Sequence, residues 1–258
     1  LFNYIKSKKQ KIYLINHFFQ WGTPEDLNQY LNWYKNLNIS KKINIKFFQN
    51  IIMMAGKGKR LSKIQKIKKP FIKLDNNLLM YEHLNSNILA SKKKALINGD
   101  KIDYKMLNRK IYEPIEVGKT KNQLQSFRNF FEQTNDRSKH FFLSPCDCKI
   151  FFNSHNLLEL IKQKPKFDVI VFTYNNYDYA NLNPSQFGWI KKKKINKVAK
   201  FIHKPKNYKK NYEIVTGFFL FNKSLNYKNL IDDYLKKNKF IKLEHSLEFI
   251  LLYLSSRF

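Results

Sequence analysis

A mostly apolar run with no polar alternation, residues 47–54 (FFQNIIMM), constrains the fold of this chain more than any other segment. A strand of this kind is covered on both faces, as in sheets that carry helices on both sides. The run leads directly into residues 55–60 (AGKGKR), which contain two closely spaced glycines. The sequence therefore predicts a buried strand followed by a loop whose backbone can approach a ligand closely.

Strand-like and helix-like segments alternate along the rest of the chain. Further strands are predicted at residues 95–98, 140–143, 169–174, 188–191, 198–202 and 214–221. Helices are predicted at residues 80–90, 123–133, 154–163 and 225–237. This alternation is typical of an α/β sheet with helices on its faces, in which ligands bind at the carboxyl ends of the strands.

The first part of the chain has a different character. Residues 11–19 (KIYLINHFF) are rich in β-branched and aromatic side chains and predict a strand. Thr23 as N-cap and Pro24 in the first helical position predict a helix over residues 24–37. Residues 38–46 are polar and irregular, and we predict that they form a linker.

The chain carries a large excess of basic residues. Lys and Arg number 49 against 19 Asp and Glu, which gives a formal net charge of +30 over 258 residues. A basic surface attracts the phosphates of nucleic acids. The basic residues are nevertheless spread over the whole length, and no nucleic-acid-binding motif accompanies them. We therefore favour a solvated, lysine-rich surface on an ordinary enzyme over dedicated nucleic-acid binding. Binding of an anionic small molecule such as a nucleotide is the remaining alternative.

Composition argues against several other classes of protein. Hydrophobic residues make up 43% of the chain, enough for a core, so wholesale disorder is not expected. The two cysteines, Cys146 and Cys148, form neither a zinc site nor a disulfide framework, which fits a reducing compartment such as the cytoplasm. The apolar runs are far shorter than the roughly 20 residues needed to span a bilayer, so no membrane span is expected.

Residue types around the two glycines are those that bind a phosphate chain. Gly56 and Gly58 would let backbone N–H groups approach phosphates, while Arg60 and Lys69 would neutralise charge that builds during a reaction. The segment is not a Walker loop, and it lacks the third glycine of the dinucleotide fingerprint because Leu61 stands there.

The segments MMAGKGKRL and KKPFIKL resemble the opening of the sugar-phosphate nucleotidyltransferase family, a strand followed by A-G-x-G-[ST]-R and then by K-P. The resemblance implies a Rossmann-like, three-layer nucleotidyltransferase fold with a mostly parallel mixed sheet. It assigns nucleotide binding to Ala55, Gly56 and Gly58. It also implies that Arg60 contacts the phosphates and that Lys69 stabilises the transition state.

Two later segments resemble the family in the same order. Residues 120–126 (TKNQLQS) resemble T-x-G-Q-x-x-S, which implies that Gln123 lies beside the base. Asn122 replaces the usual glycine, and asparagine also tolerates a left-handed backbone. Residues 140–147 (HFFLSPCD) resemble the strand that ends in a metal-binding aspartate. This assigns Asp147 as a ligand of Mg²⁺, a hard cation that bridges phosphates.

The remaining family motifs concern the sugar phosphate. Residues 198–205 (VAKFIHKP) resemble a strand that ends in E-K-P, which implies that Lys204 contacts the sugar phosphate. His203 replaces the glutamate that often holds sugar hydroxyls, so the identity of the sugar stays open. Residues 216–221 (TGFFLF) resemble the strand T-G-x-[YF]-x-F that lines the sugar pocket, and this assigns sugar-phosphate binding to Gly217.

A second metal carboxylate is expected after that strand. Family members carry a stretch like N-E-x-Y-x-x-D there, and residues 243–248 (LEHSLE) come nearest to it. This assigns Glu248 as the second metal ligand, the alternative being an acidic residue on a helix surface.

The order of the motifs departs from the family. Residues 20–27 (QWGTPEDL) resemble the end of a family catalytic domain, yet they stand at the beginning, and the chain stops after residues 249–258. We expect residues 1–37 to be the closing strand and helix of one nucleotidyltransferase domain and residues 38–46 to be a linker. Residues 47–258 would then be a catalytic domain that lacks its usual end. A fragment of a tandem protein is favoured over a permuted single domain.

Together these features predict a magnesium-dependent enzyme that condenses a nucleoside triphosphate with a sugar 1-phosphate to give a nucleotide sugar and pyrophosphate, as in surface polysaccharide synthesis. The first alternative is an inactive or regulatory nucleotide-binding module, and the second is a basic nucleic-acid-binding protein. A glycosyltransferase is disfavoured because the D-x-D pair is absent after Asp147. The base, the sugar and the oligomeric state stay open.

Overall fold

The computed structural model describes residues 42–56, 67–73, 78–134, 139–163, 167–175, 178–194, 197–207 and 210–237. These residues belong to one compact unit that begins at Lys42. The strand predicted at residues 11–19 and the helix predicted at residues 24–37 lie outside the described residues.

An eight-stranded sheet forms the centre of the described unit. Its strands are β1 Ile43–Met53, β2 Ile88–Ile97, β3 Glu113–Glu116, β4 Phe141–Pro145, β5 Val169–Tyr174, β6 Gly188–Lys194, β7 Lys197–His203 and β8 Glu213–Phe221. The α-helices of the described residues are α1 Met80–Asn85, α2 Lys101–Met106, α3 Gln123–Gln133, α4 Ser154–Gln163, α5 Asp178–Leu182 and α6 Tyr227–Lys237. Short 3-10 helices cover Lys69–Phe71 and Pro184–Gln186.

The sheet is mixed and mostly parallel, as the resemblance implied. Its strands follow the order β3-β2-β1-β4-β8-β6-β7, and β5 pairs with the other side of β8. Parallel pairs join β1 to β2 and β4, and β2 to β3. Antiparallel pairs join β8 to β4, β5 and β6, and β6 to β7. Six strands of the described sheet therefore run in one direction, and β7 and β8 run in the opposite direction.

Helices cover both faces of the sheet. On one face, Phe127 of α3 and Ile231 of α6 pack in a cluster that includes Ile51 of β1. On the other face, Tyr81 of α1 packs in a cluster with Ile52, the next residue of β1. Successive side chains of a strand point to opposite faces, so an apolar run without alternation is required where both faces are covered. The helix, sheet and helix layers agree with the predicted three-layer fold.

The first strand begins earlier than the sequence predicts. Residues 38–46 are predicted to be a linker, but β1 already starts at Ile43. Ile43 and Ile45 are fully buried, and Ile43 pairs with Ile88 of β2. Asn44 and Lys46 alternate with these isoleucines and are exposed, as in a strand with one buried face. So short an alternation is hard to distinguish in the sequence from an irregular polar segment.

The helix predicted over residues 80–90 is too long. Helix α1 ends at Asn85 and β2 begins at Ile88, because parallel pairing with β1 takes the residues from Ile88 onward into the sheet. The strand predicted at residues 95–98 is only the carboxyl end of β2. Three consecutive lysines, residues 92–94, lie in the middle of β2 and conceal it in the sequence.

Candidate active site

The carboxyl ends of two neighbouring parallel strands define the candidate site. β1 and β4 run side by side, with Met53 paired to Pro145 at their last residues. Ala55 and Gly56 follow β1, and Asp147 follows β4. Residues predicted to bind the nucleotide and the metal therefore lie at the same edge of the sheet, which is the usual ligand position in such folds.

Lys69 reaches this edge from a separate segment. Its ammonium forms an ion pair with the carboxylate of Asp147, which lies 78 positions further along the chain. The two side chains keep 22% and 32% of their surface exposed. The pair is therefore ordered by the protein and still open to a ligand. It joins two of the three residues predicted to be catalytic, while the third, Arg60, lies outside the described residues.

The packing of the two residues after Lys69 explains why this segment lies at the edge of the sheet. Lys69 opens a 3-10 helix in which Pro70 and Phe71 are buried. The ring of Phe71 meets the ring of Tyr81 edge-on, with the centroids 5.9 Å apart. Proline fixes its own backbone angle, and the buried ring holds the turn against α1. The lysine is thus presented from a rigid turn.

Lys68 anchors the same segment, and no sequence signal pointed to it. Its Nζ donates to Oδ2 of Asp100 at 2.6 Å and to Oδ1 of Asp103 at 2.7 Å. Asp103 is buried, and its other oxygen accepts from the backbone N–H of Asn98 at 3.2 Å. Burial acts to lower the pKa of Lys68, but the hydrogen bonds to both carboxylates outweigh it and raise the pKa. Lys68 therefore stays charged and ties the turn to the start of α2.

The glycine segment after β1 is only partly described. Ala55 is buried beneath the edge of the sheet. Gly56 is exposed, and a Cβ at Gly56 would meet no described atom within 4 Å. Neither crowding by described atoms nor a left-handed backbone requires glycine at this position, whereas close approach of a ligand would. Gly58 lies outside the described residues.

Gln123 is the first residue of α3 and is exposed. The preceding Asn122 caps the helix, because its Oδ1 accepts from the backbone N–H of Gln125 at 2.9 Å. Asn122 has φ −156°, so the left-handed backbone considered for this position is absent and the asparagine serves as a cap instead. The next residue, Leu124, packs in the same core cluster as Ala55. This packing places the start of α3 beside the end of β1.

Gly217 lies on β8 against the end of β4. Its backbone is left-handed, with φ +85°, and its missing Cβ would stand 3.5 Å from Cγ of Pro145. The pairing of β8 with β5 changes register between Val171 and Thr173, which marks a bulge in β8 that includes this glycine. Glycine is favoured here because side-chain-bearing residues rarely take this conformation. The bulge brings the backbone of β8 next to the segment that carries Asp147.

Lys204 follows β7 and is exposed, with a left-handed backbone at φ 42°. Its backbone N–H donates to the carbonyl of Phe187 at 3.1 Å. The residue before it, His203, pairs with Gly188 of β6. Because β7 is two strands from β8 in the sheet, the backbones there are about 10 Å apart at the usual strand spacing. Lys204 therefore lies at the end of a strand two places from β8, the strand that carries Gly217.

Of the two carboxylates predicted to bind a metal, only Asp147 belongs to the described residues. No group of three or more His, Cys, Asp or Glu side chains that could hold a metal occurs among the described residues. Glu248 lies outside them. Burial raises the pKa of the adjacent Cys146 to about 12, so this thiol is protonated at neutral pH. Asp147 alone still fits Mg²⁺, which commonly uses one or two carboxylates together with waters and substrate phosphates.

A family model described as nucleotidyl transferase matches residues 49–246, which is well over half of the chain. A comparison with curated proteins gives no significant match. None of the helices described is both long and apolar enough to cross a membrane.

Solved structures of similar fold are numerous. An inositol-1-phosphate CTP transferase from T. maritima has a TM-score of 0.58 and 20% sequence identity, with 83% of each chain covered. A UDP-glucose pyrophosphorylase complexed with UDP-glucose has a TM-score of 0.58 and 14% identity, covering 82% of this chain and 88% of the other. A nucleoside-diphosphate-sugar pyrophosphorylase from Vibrio cholerae RC9 has a TM-score of 0.57 and 10% identity, covering 81% and 88%. At these identities the likeness shows the fold.

Proposed function

Because the chain belongs to the nucleotidyl transferase family, we propose that it condenses a nucleoside triphosphate with a sugar 1-phosphate to give a nucleotide sugar and pyrophosphate. The observation that carries the proposal is the contact between Lys69 and Asp147 at the carboxyl edge of β1 and β4. A cation and a metal-type carboxylate side by side are the groups that phosphoryl-group chemistry needs.

The proposed reaction has one bond-forming and one bond-breaking event. An oxygen of the sugar phosphate attacks the α-phosphorus in line, and the bond from that phosphorus to the bridging oxygen of pyrophosphate breaks. Pyrophosphate leaves with the electron pair. Negative charge spreads over the phosphoryl oxygens, so positioning and charge neutralisation supply most of the catalysis. Lys69 would neutralise that charge, helped by Arg60.

Magnesium is part of the proposal. Asp147 would hold Mg²⁺, with Glu248 as the second predicted ligand. When bound, the ion would screen the phosphate charges and orient the triphosphate. In the described structure Asp147 is paired with Lys69, so arrival of a cation and an anionic substrate would exchange one ion pair for two new ones.

Substrate-binding roles follow the positions of the predicted residues. The nucleotide would lie along the end of β1 and the start of α3, bound by Ala55, Gly56, Gly58 and Gln123. The sugar phosphate would lie on the β8 side, near Gly217 and Lys204. The left-handed backbone of Lys204 supports this role, because such strain is found where a side chain must be aimed. A cytoplasmic location and a role in surface polysaccharide synthesis complete the proposal.

A substrate panel tests the proposed reaction. Each of the common nucleoside triphosphates is mixed with glucose 1-phosphate, mannose 1-phosphate or inositol 1-phosphate, and pyrophosphate release is measured with Mg²⁺ and with EDTA. We expect release with at least one pair, dependent on both substrates and abolished by EDTA. Nucleotide binding without release from any pair would replace the proposal with a non-catalytic nucleotide-binding module.

A further inference from the structure

We propose that the chain has a second anion site, a basic cavity on β2 that binds a small phosphate-bearing ligand and is separate from the candidate active site. The cavity has a volume of about 430 Å³, within the range of small-molecule sites. Its charged lining residues are Lys92, Lys93, Arg109, Lys110 and Glu113. Four cations against one carboxylate give its lining a net positive charge.

Among the lining residues, Lys93 provides the main evidence for a bound anion. Its ammonium donates to the backbone carbonyl of Asn85 at 3.4 Å and lies 5.6 Å from the centre of the Tyr112 ring. In the described part of the structure no carboxylate pairs with it. Burial lowers its pKa, because the charged form has lost water without gaining an anion. A partly buried cation without a counter-ion has lost part of its hydration, and a bound anion would offset that cost.

The surrounding groups do not supply this anion. Glu82 on α1 is engaged by the amide of Asn108 at 3.1 Å and by the backbone N–H of Leu79 at 3.4 Å. Glu113 lines the cavity but is exposed. A phosphate group, with several charged oxygens, can accept from lysine and arginine together, which a single protein carboxylate does less well.

The cavity is distinct from the edge where Lys69 meets Asp147. Lys93 pairs with Asn50 of β1, whereas the carboxyl end of β2 is Ile97. Four residues of strand separate Lys93 from that end, about 13 Å at the usual rise per residue. Ligands of the two sites would therefore not share contacts, and the inference does not depend on the proposed reaction.

Calorimetric titration of the full chain with inorganic phosphate at low ionic strength tests the site. We expect Lys93→Gln to weaken phosphate binding by about tenfold, the loss expected for one charged hydrogen bond. Lys46→Gln is the matched control, because Lys46 is an exposed lysine on β1 and does not line the cavity. The titrations are repeated in the Lys69→Gln background, which weakens phosphate binding at the candidate active site, and the loss caused by Lys93→Gln should persist there. Glu113→Gln should strengthen binding.

Arg109→Gln provides a second variant at an exposed position where the fold is not at risk, and it should also weaken binding. Glycerol 2-phosphate serves as a phosphomonoester probe. Tighter binding of glycerol 2-phosphate would indicate an organic phosphate ester as the ligand, and tighter binding of inorganic phosphate would indicate the free ion. No binding of either probe, equal losses in Lys93→Gln and Lys46→Gln, or binding of an oligonucleotide alone would overturn the proposal.

Discussion

Lys68 and Lys69 are adjacent lysines with different tasks. Lys69 faces Asp147 at the edge of the sheet, whereas Lys68 turns toward Asp100 and Asp103 at the start of α2. Adjacent residues of a tight turn point in different directions, so the two lysines cannot exchange partners. The anchor made by Lys68 therefore determines where Lys69 can reach.

Removing the anchor should destabilise the protein. Lys68→Met leaves the buried carboxylate of Asp103 without its cation, and we expect the free energy of unfolding to fall by about 2 kcal/mol. Urea unfolding followed by circular dichroism measures the change. Lys46→Met, at an exposed lysine, should stay within about 0.5 kcal/mol of the parent. Equal stability of Lys68→Met and the parent would show that the anchor contributes nothing.

His140 links stability to pH. Its Nδ1 accepts from the backbone N–H of Lys223 at 3.1 Å, and its ring lies 5.8 Å from that of Phe48 and 5.3 Å from that of Phe167. Burial, and secondarily the charge of Lys223, lowers the pKa of His140 below its ordinary value of 6.5. The folded state thus favours neutral His140. Its contribution to stability is present above pH 6.5 and is lost as the pH falls through the folded pKa.

Unfolding free energies at pH 7.5 and pH 5 measure this link. We expect the parent to lose more stability on acidification than His140→Asn, since asparagine keeps an acceptor near the Lys223 N–H but does not titrate. The same loss in both proteins would assign the acid sensitivity to other groups.

At the scale of elements, the start of α3 depends on its cap. Asn122 accepts from the backbone N–H of Gln125, and the side chain of Gln125 accepts from the backbone N–H of Lys121 at 2.9 Å. We expect Asn122→Ala to lower the free energy of unfolding by about 1 kcal/mol, and Asn122→Gly by a few tenths. Thermal or urea unfolding distinguishes the two variants. A larger loss with glycine than with alanine would contradict the capping role.

Helices and strands whose sequence pattern is local could be predicted from the sequence. Helices α3 and α4 and strand β5 have the predicted bounds, because their apolar periodicity and flanking residues are local. Strand β2 could not be predicted in full. Its residue Lys94 is buried, with its ammonium 5.8 Å from the centre of the Phe130 ring, so the surroundings decide its place. Helix α2 and strand β3 were not predicted, because they are short and lack a clear pattern.

At the scale of the whole molecule, the sheet topology assembles the site. The resemblance named Gly56, Lys69 and Asp147 separately. The parallel pairing of β1 with β4 brings Gly56 and Asp147 to one edge, and Lys69 reaches that edge from the 3-10 helix. The partners of Lys68 could not be foreseen, since Asp100 and Asp103 lie 32 and 35 positions away and carry no motif. Residues that define chemistry have recognisable patterns, while residues that position them depend on the finished fold.

At this scale, the net charge of +30 can be divided into cations with a proposed ligand and cations that contribute only to the general surface charge. The proposals give anionic ligands to Lys69 and Lys204 at the active site and to Lys93 in the basic cavity. Many other lysines and arginines of the described residues are exposed, and a surface field of one sign attracts anions in general. Selectivity would come from those few positioned cations.

Pyrophosphate release under single-turnover conditions, with the substrate pair chosen from the panel, tests the central claim most directly. We expect Lys69→Met to slow release by about a hundredfold or more, the usual effect of removing one group that stabilises the transition state. Asp147→Asn should slow it similarly and weaken the response to Mg²⁺, whereas Lys46→Met should be unchanged. Full rates in both site variants would contradict the claim that Lys69 and Asp147 form the reaction centre.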